Sequence, residues 1–249
     1  MARVVMVHGA GNALWGPASI HAKWFPAALD GLSWHGRRLE PSDVRVAFYG
    51  DLYRPDPERG YDPPVDAVAA IAQFSQVVQG IDPDVDLDEL VKTLHEQHFD
   101  RVLAQATAYF DDPDLHAAAQ ARIEAAVEAD TRVVVAHSLG TVIAYETLCR
   151  HPEWPVTDFI TMGSPLGGTM IKSELESRPG SGPAPWPGPV LRWTNIRGSA
   201  DPACLETLAP HFDGPVVDHE VDNGHRVHDP EPYLNNPTTG RALLAGLDA

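Results

Sequence analysis

Basic residues are scarce in this chain of 249 residues, where 18 Lys and Arg stand against 35 Asp and Glu. The formal net charge of −17 repels a phosphate backbone, so we expect no nucleic acid partner. The same repulsion disfavours binding to anionic membrane surfaces. Acidity of this kind could steer a cationic substrate, but its ordinary effect is to keep a protein in solution.

Cysteines and long apolar runs are also lacking. The two cysteines, Cys149 and Cys204, do not resemble the disulfide framework of a small secreted protein. The first predicted strand begins at Val4, which leaves no room for a signal peptide before it, and no apolar run reaches the length of a transmembrane helix. We therefore predict a cytoplasmic protein that does not enter a membrane.

The common nucleotide and metal motifs are incomplete. Gly9 and Gly11 follow the first predicted strand, but Leu14 stands where a dinucleotide-binding loop has its third glycine, and no Gly-Lys-Ser/Thr sequence is present. His95 and His98 are one residue too close for the zinc-protease pattern His-Glu-x-x-His. The sequence therefore predicts neither a cofactor nor a metal ion.

What the chain does contain is a series of short apolar runs, most of them separated by helical patterns. Such runs are typical of strands buried in a parallel sheet, and their alternation with helices predicts helices on both sheet faces. We therefore predict one α/β domain over residues 1–249, with a doubly wound, mostly parallel sheet. The predicted strands are residues 4–7, 44–48, 133–136, 159–162, 190–194 and 216–221.

Two segments depart from a simple alternation. Residues 52–130 are long for one connection, so we predict a helical insertion that either forms a partial cap or adds helices to the sheet face. Within it, Asp112 followed by Pro113 indicates the start of a helix. Residues 178–189 are rich in proline and glycine and must form a loop, either a connector or a flap that brings Trp186 to the site.

The most informative segment surrounds Ser138. A β-branched run leads into Ala-His-Ser-Leu-Gly at residues 136–140, and a helical pattern follows. A strand, a sharp turn and a helix form the context in which Gly-x-Ser-x-Gly presents a nucleophilic serine, although Ala136 replaces the first glycine. At such a turn the Leu139 N–H points to a developing oxyanion. The plainer alternative is an ordinary turn that happens to contain serine.

This segment resembles the nucleophile elbow of lipases and esterases of the α/β-hydrolase fold. Residues 7–12, Val-His-Gly-Ala-Gly-Asn, resemble the His-Gly loop after an early strand of that fold, and residues 161–168 resemble the end of its next strand. The resemblance implies the fold and a serine hydrolase, with Ser138 as nucleophile and the Ala10 N–H as a second oxyanion donor. We interpret His8 as a structural hydrogen-bonding residue rather than the base.

The triad of that fold occurs in the order serine, acid, histidine. Asp201 follows the fifth predicted strand and is our candidate acid, and its alternative is a turn residue before proline. The loop after the last predicted strand contains two histidines. We favour His228 as the general base because it resembles the family's histidine before a Tyr-Leu pair, while His225 stays the alternative.

These residues predict hydrolysis of a small-molecule ester, thioester or amide through an acyl-enzyme on Ser138. We expect a short to medium, moderately apolar acyl group. The alternatives are an acyltransferase or cyclase that uses the same triad, a lyase that uses the site for proton transfer, and a hydrolase-fold protein that binds without catalysis. The natural substrate and the oligomeric state stay open.

Overall fold

A parallel β-sheet forms the centre of the protein. The computed structural model describes residues 2–54, 99–168, 171, 174–175, 182–204 and 206–249. In this part of the chain the strands are β1 Val4–Val7, β2 Val44–Ala47, β3 Val133–His137, β4 Asp158–Met162, β5 Arg192–Gly198 and β6 Val216–Val221. They form one six-stranded sheet in the order β2-β1-β3-β4-β5-β6, and every neighbouring pair is parallel.

Helices cover both faces of this sheet. The described α-helices are α1 Pro17–Ser33, α2 Phe99–Asp111, α3 Pro113–Glu124, α4 Leu139–Arg150, α5 Pro230–Leu234 and α6 Pro237–Leu247. One face is covered by α1, α5 and α6, and the other by α3 and α4 with the end of α2. The predicted doubly wound α/β class is confirmed, and it is consistent with an α/β-hydrolase fold. None of the described helices is both long and apolar enough to cross a membrane.

The central strands are buried because both of their faces are covered. Val5 of β1 and Val134 of β3 pack toward α3 and α4, whereas Met6 and Val135 pack toward α1 and α6. All four side chains are fully buried. Successive side chains of a strand point to opposite faces, so a strand covered on both sides has no polar position to spare. This explains why β1 and the first four residues of β3 are continuous apolar runs.

The fifth strand lies further along the chain than the sequence predicted. Val190 donates its N–H to the carbonyl of Pro187 in a turn, and the strand begins only at Arg192, opposite Asp158 of β4. The guanidinium of Arg192 donates to the Asp158 carboxylate at 2.6 and 2.8 Å, which ties the two strand starts together. The predicted start at Val190 was therefore wrong, because turn geometry outweighed the apolar run. The strand ends at Gly198, close to Asp201.

The helical insertion is described only in its second half. Residues 55–98 lie outside the described residues, so the predicted cap is not tested. In the described half, α3 begins where the sequence predicts. The Asp112 side chain accepts hydrogen bonds from the N–H groups of Asp114 and Leu115, and Pro113 occupies the first helical position. This N-cap satisfies donors that the helix itself leaves unpaired.

The proline-rich loop is described from residue 182, and its residues 178–181 lie outside the described part. Trp186 donates its ring N–H to the Val190 carbonyl at 2.6 Å, and its ring lies 5.8 Å from that of Trp193. Trp186 thus packs against the core under the loop. It does not line the cleft beside Ser138, so a flap that carries Trp186 into the site is wrong for the described residues.

Candidate active site

The turn between β3 and α4 holds Ser138 in an unusual backbone conformation. Ser138 has φ 53° and ψ −132°, and it is the only non-glycine residue with a positive φ in the described part of the chain. Such a conformation is strained for a residue with a side chain, and strain of this kind clusters at active sites and ligand-binding turns. Ala136, which replaces the first glycine of the motif, is fully buried in β3 and needs no positive φ.

Gly140, in the first turn of α4, lets this helix approach the end of β1. A Cβ atom at this position would lie 2.3 Å from the carbonyl oxygen of His8 and 2.7 Å from that of Val7. Both distances are far inside van der Waals contact, so only glycine fits without a backbone shift. The second glycine of the motif therefore brings α4 and the loop after β1 together around Ser138.

Two hydrogen bonds join Ser138, His228 and Asp201. The Oγ of Ser138 lies 2.9 Å from Nε2 of His228, and Nδ1 of His228 lies 2.8 Å from Oδ2 of Asp201. The three residues follow β3, β6 and β5, so they meet at the carboxyl edge of the sheet. An imidazole in this position can accept the serine proton while the carboxylate stabilises the resulting charge. His225 is exposed, and the described contact with Ser138 comes from His228.

Asp201 is buried and fully engaged by hydrogen-bond donors. Its Oδ1 accepts from the Ala203 N–H at 2.9 Å, and its Oδ2 accepts from the His228 ring and from the Tyr233 hydroxyl at 2.6 Å. Burial raises the pKa of Asp201, but the hydrogen bond and charge of His228 and the bond from Tyr233 outweigh it, so the pKa lies below its ordinary value. At neutral pH, Asp201 is therefore a carboxylate.

Tyr233 is a component of the site that the sequence analysis missed. Its buried hydroxyl accepts a hydrogen bond from the Gly198 N–H at 2.8 Å while it donates to Asp201. Burial raises the pKa of Tyr233, so the hydroxyl keeps its proton and stays a donor. Burial also raises the pKa of the Cys204 thiol, which lies 3.6 Å from the same hydroxyl, and this disfavours a reactive thiolate. Tyr233 is the tyrosine of the Tyr-Leu pair that follows His228, but this pair alone does not indicate that Tyr233 contacts Asp201.

The imidazole ring of His137 packs beside that of His228 and is neutral. The two ring centroids are 4.7 Å apart, and burial together with the positive charge of His228 lowers the pKa of His137 to about 3. The buried Nε2 of His137 has no hydrogen-bond partner in the described part of the chain. A neutral ring here adds no positive charge next to His228.

The loop after β1 is held in place by side-chain hydrogen bonds. Nδ2 of Asn12 donates to the carbonyl oxygens of Gly9 and Ala10 at 2.9 and 3.2 Å. From α2, the side-chain oxygen of Gln105 accepts the Gly11 N–H at 2.8 Å. These bonds fix the peptide planes on both sides of Ala10. The sequence analysis did not identify Gln105, because nothing in the sequence relates it to a loop so far from it along the chain.

Two backbone N–H groups near Ser138 have no hydrogen-bond acceptor among the described residues. Gly9 packs against the serine so closely that a Cβ atom on it would lie 2.7 Å from the Ser138 Cβ, and Ala10 lines the same cleft as Ser138. Leu139 follows the serine at the first position of α4. The N–H groups of Ala10 and Leu139 donate to no described residue. Neither N–H group is therefore committed to an acceptor in the described part of the chain.

His8 stabilises the loop after β1 through hydrogen bonds. Its Nδ1 lies 2.7 Å from the Gly9 carbonyl oxygen, its Nε2 accepts the Tyr49 N–H at 3.2 Å, and the Tyr49 hydroxyl donates to the His8 carbonyl at 2.7 Å. Burial lowers the pKa of His8 to about 4, so the ring is neutral. Since both ring nitrogens have partners, His8 holds the loop and is not placed to act as a base.

A cleft of about 290 Å³ lies beside Ser138 and His228. Trp15 and Trp24 contribute aromatic walls, and the Lys23 ammonium lies 3.7 Å from the centre of the Trp15 ring. The cleft therefore combines apolar surface with charge at its rim. Within the described residues, no group of three or more His, Cys, Asp or Glu side chains is placed to hold a metal ion.

Comparisons with known proteins add little to this geometry. No family model and no curated protein matches the chain. Among solved structures, RedJ with a PEG molecule bound in its active site is similar at 16% identity, over 100% of this chain and 89% of that chain, with a TM-score of 0.39. A likeness at this level carries no argument about function. The fold follows instead from the sheet order and the helices on both faces.

The buried histidines generate a prediction about stability and pH. His8 and His137 have pKa values of about 4 and about 3 in the folded chain, against 6.5 for an exposed histidine. Below pH 6.5 the unfolded chain binds protons that the folded chain does not, so the free energy of unfolding falls as the pH falls. Each histidine contributes a slope of about 1.4 kcal/mol per pH unit between its two pKa values.

Urea unfolding at several pH values between about 7 and 5 measures this slope. We expect His137→Asn to reduce it relative to the wild type, by an amount that approaches about 1.4 kcal/mol per pH unit near pH 5. The control is His225→Asn, which alters an exposed ring and should keep the wild-type slope. An unchanged slope in His137→Asn would show that the buried ring is not held neutral.

The contact between Tyr233 and Asp201 generates a second prediction. Tyr233→Phe removes a donor to a buried carboxylate, a bond that contributes about 1.5–3 kcal/mol. We expect fluorophosphonate to label Ser138 about tenfold more slowly, because Asp201 then orients His228 less firmly. The control is Tyr145→Phe, which removes a bond to the Pro185 carbonyl away from the triad and should lower stability without slowing the labelling. Equal labelling rates in Tyr233→Phe and wild type would contradict the prediction.

Proposed function

We propose that this protein is a serine hydrolase that cleaves a small carboxylic ester, thioester or amide through an acyl-enzyme on Ser138. The observation that carries the proposal is the pair of hydrogen bonds that links the Ser138 Oγ through His228 to the Asp201 carboxylate. The strained turn of Ser138 supports it, since a nucleophile must be exposed to substrate on a rigid support.

In the proposed reaction, the Ser138 Oγ attacks the substrate carbonyl carbon while Nε2 of His228 takes the hydroxyl proton. Asp201 accepts the hydrogen bond from Nδ1 and stabilises the imidazolium. The tetrahedral intermediate collapses, and His228 returns the proton to the leaving alcohol, thiol or amine. A water molecule then attacks the acyl-enzyme by the same route, which releases the acid and restores the Ser138 hydroxyl.

The proposed oxyanion hole consists of the N–H groups of Ala10 and Leu139. Neither group is used by another described residue, and the loop that carries Ala10 is held by Asn12 and Gln105. Donors that are fixed before the reaction stabilise the developing charge without a cost of reorganisation. The N-terminus of α4 adds its dipole at the same place.

The cleft supports a small substrate rather than a long lipid chain. Its volume of about 290 Å³ lies near the lower end of ligand sites, and its tryptophans suit a moderately apolar acyl or alcohol group. We therefore propose soluble esters of short to medium acyl length as substrates, without activation by a lipid interface. The cytoplasmic location stays a prediction from the sequence.

Covalent labelling tests the nucleophile. We expect fluorophosphonate to label the wild type and ester turnover to be measurable, whereas Ser138→Ala should lose both by several orders of magnitude with its fold intact. The control is Ser199→Ala, which changes an exposed serine near Asp201 and should be labelled like the wild type. Undiminished labelling of Ser138→Ala would refute the proposal.

Two further experiments separate the alternative reactions. Product analysis with added methanol separates hydrolysis from acyl transfer, and trapping of an acyl-enzyme separates both from a lyase.

The two histidines of the last loop give a matched pair of variants. His228→Ala should lower kcat by orders of magnitude, because the proton of Ser138 then has no acceptor. His225→Ala alters an exposed ring in the same loop and should leave kcat within about twofold of the wild type. The measurement is kcat for a soluble p-nitrophenyl ester, with circular dichroism to check folding. A reversed ranking would assign the base to His225.

A further inference from the structure

A second cavity, of about 470 Å³, lies at the sheet edge next to β2 and is lined by three arginines. Arg45 belongs to β2, Arg54 follows the short 3-10 helix Gly50–Tyr53, and Arg122 lies in the last turn of α3. The whole chain has 18 basic residues against 35 acidic ones. Three guanidinium groups from separate elements in one cavity are therefore an unusual concentration of positive charge for this protein.

Two of the three arginines form ion pairs with described carboxylates, and the third, Arg54, does not. Nη2 of Arg45 lies 2.6 Å from Oε1 of Glu128, and Nη2 of Arg122 lies 2.7 Å from Oδ2 of Asp51. Arg54 contacts no carboxylate in the described part of the chain. Among the described residues, the three guanidinium groups thus meet two carboxylates, and Arg54 is the arginine without one.

The Arg54 guanidinium is held by two backbone carbonyl groups, although no described carboxylate pairs with its charge. Its Nε donates to the Ala13 carbonyl at 2.6 Å and its Nη2 to the Trp15 carbonyl at 2.7 Å. Carbonyl groups fix the orientation of the guanidinium but carry no formal charge. A cation that is already ordered loses little side-chain entropy when it binds an anion. Trp15 also lines the catalytic cleft, so the cavity and the cleft share one loop.

The rest of the cavity wall suits a small organic group. Val46, Phe48 and Ala126 contribute apolar surface between the arginines. The start of α1 at Gly16 and Pro17 also lines the cavity, and this helix has neither a side-chain cap nor an acidic residue in its first turn. Its positive end adds to the field of the arginines. The cavity thus combines three guanidinium groups, one of them paired with the Asp51 carboxylate in the same wall, with a compact apolar surface.

We propose that this cavity binds a phosphate monoester, with the phosphate at Arg54 and its neighbouring arginines and the organic group against Phe48. Guanidinium groups pair well with phosphate oxygens, and three of them from different directions suit a tetrahedral dianion better than a planar carboxylate, which one guanidinium can engage alone. The proposal concerns binding outside the catalytic cleft and does not depend on the hydrolase function.

Isothermal titration with phenyl phosphate tests the site. We expect saturable binding to the wild type, and a Kd raised about tenfold or more by Arg54→Gln and by Arg45→Gln. Arg197→Gln is the matched control. It makes the same change in net charge, but Arg197 of β5 pairs with Glu220 of β6, at the sheet edge opposite β2. Its Kd should stay within about twofold of the wild type.

Benzoate tests the chemical class of the ligand, because it offers the same ring with a planar, singly charged group. We expect its Kd to be at least about tenfold higher than that of phenyl phosphate. The absence of saturable binding of phenyl phosphate up to about 10 mM would overturn the proposal, since even weak specific sites reach this range. Equal weakening by Arg54→Gln and Arg197→Gln would also overturn it, as would equal affinity for benzoate. Should Arg54→Gln not fold, Arg45→Gln decides the same question.

Discussion

The backbone of Ser138, held at a positive φ between β3 and α4, is the constraint on which the rest of the site depends. A residue in this conformation costs of order 1–3 kcal/mol and persists only where its surroundings enforce it. Here β3 is buried on both faces, and Gly140 lets α4 press against the carbonyl oxygens at the end of β1. The Thr141 hydroxyl also donates to the Ser138 carbonyl at 2.7 Å. The sheet and helix thereby fix the direction in which the Ser138 side chain leaves the backbone.

Around this serine, buried titratable groups are each kept in one protonation state by their surroundings. Asp201 is held as a carboxylate by donors from three sides, while burial keeps His137 and His8 neutral and the Tyr233 hydroxyl protonated. His228 is only partly buried and lies between Asp201 and Ser138. In the proposed reaction, the neutral rings of His8 and His137 therefore place no positive charge beside His228 when it takes the serine proton. Burial and hydrogen bonding, rather than the residue types, therefore set the protonation state of each of these buried groups.

The loop between β1 and α1 connects the cleft beside Ser138 with the arginine cavity. Its first part carries Ala10 beside Ser138, and its second part carries the carbonyl of Trp15 that Arg54 binds. The same few residues thus contribute to the proposed oxyanion hole and to the edge of the arginine cavity. In a chain with a net charge of −17, positive charge is concentrated where this loop and the edge strand meet. The protein consequently presents two chemically different surfaces, an aromatic cleft and a basic cavity, on either side of one short segment.

The parallel α/β class, the turn at Ser138 and the cap of α3 by Asp112 could be predicted from sequence, because each follows from local periodicity or from short-range backbone chemistry. It narrowed the remaining partners of Ser138 to Asp201 and two histidines, whose catalytic roles stay predictions. The folded structure was needed to show that His228 rather than His225 lies against the serine, that Tyr233 donates to Asp201, and where β5 ends. These features depend on how strand ends and loops meet across the sheet edge. Contacts between residues far apart in the chain leave no periodic trace in one sequence, and neither the bond from Gln105 nor the convergence of three arginines can be deduced from their spacing.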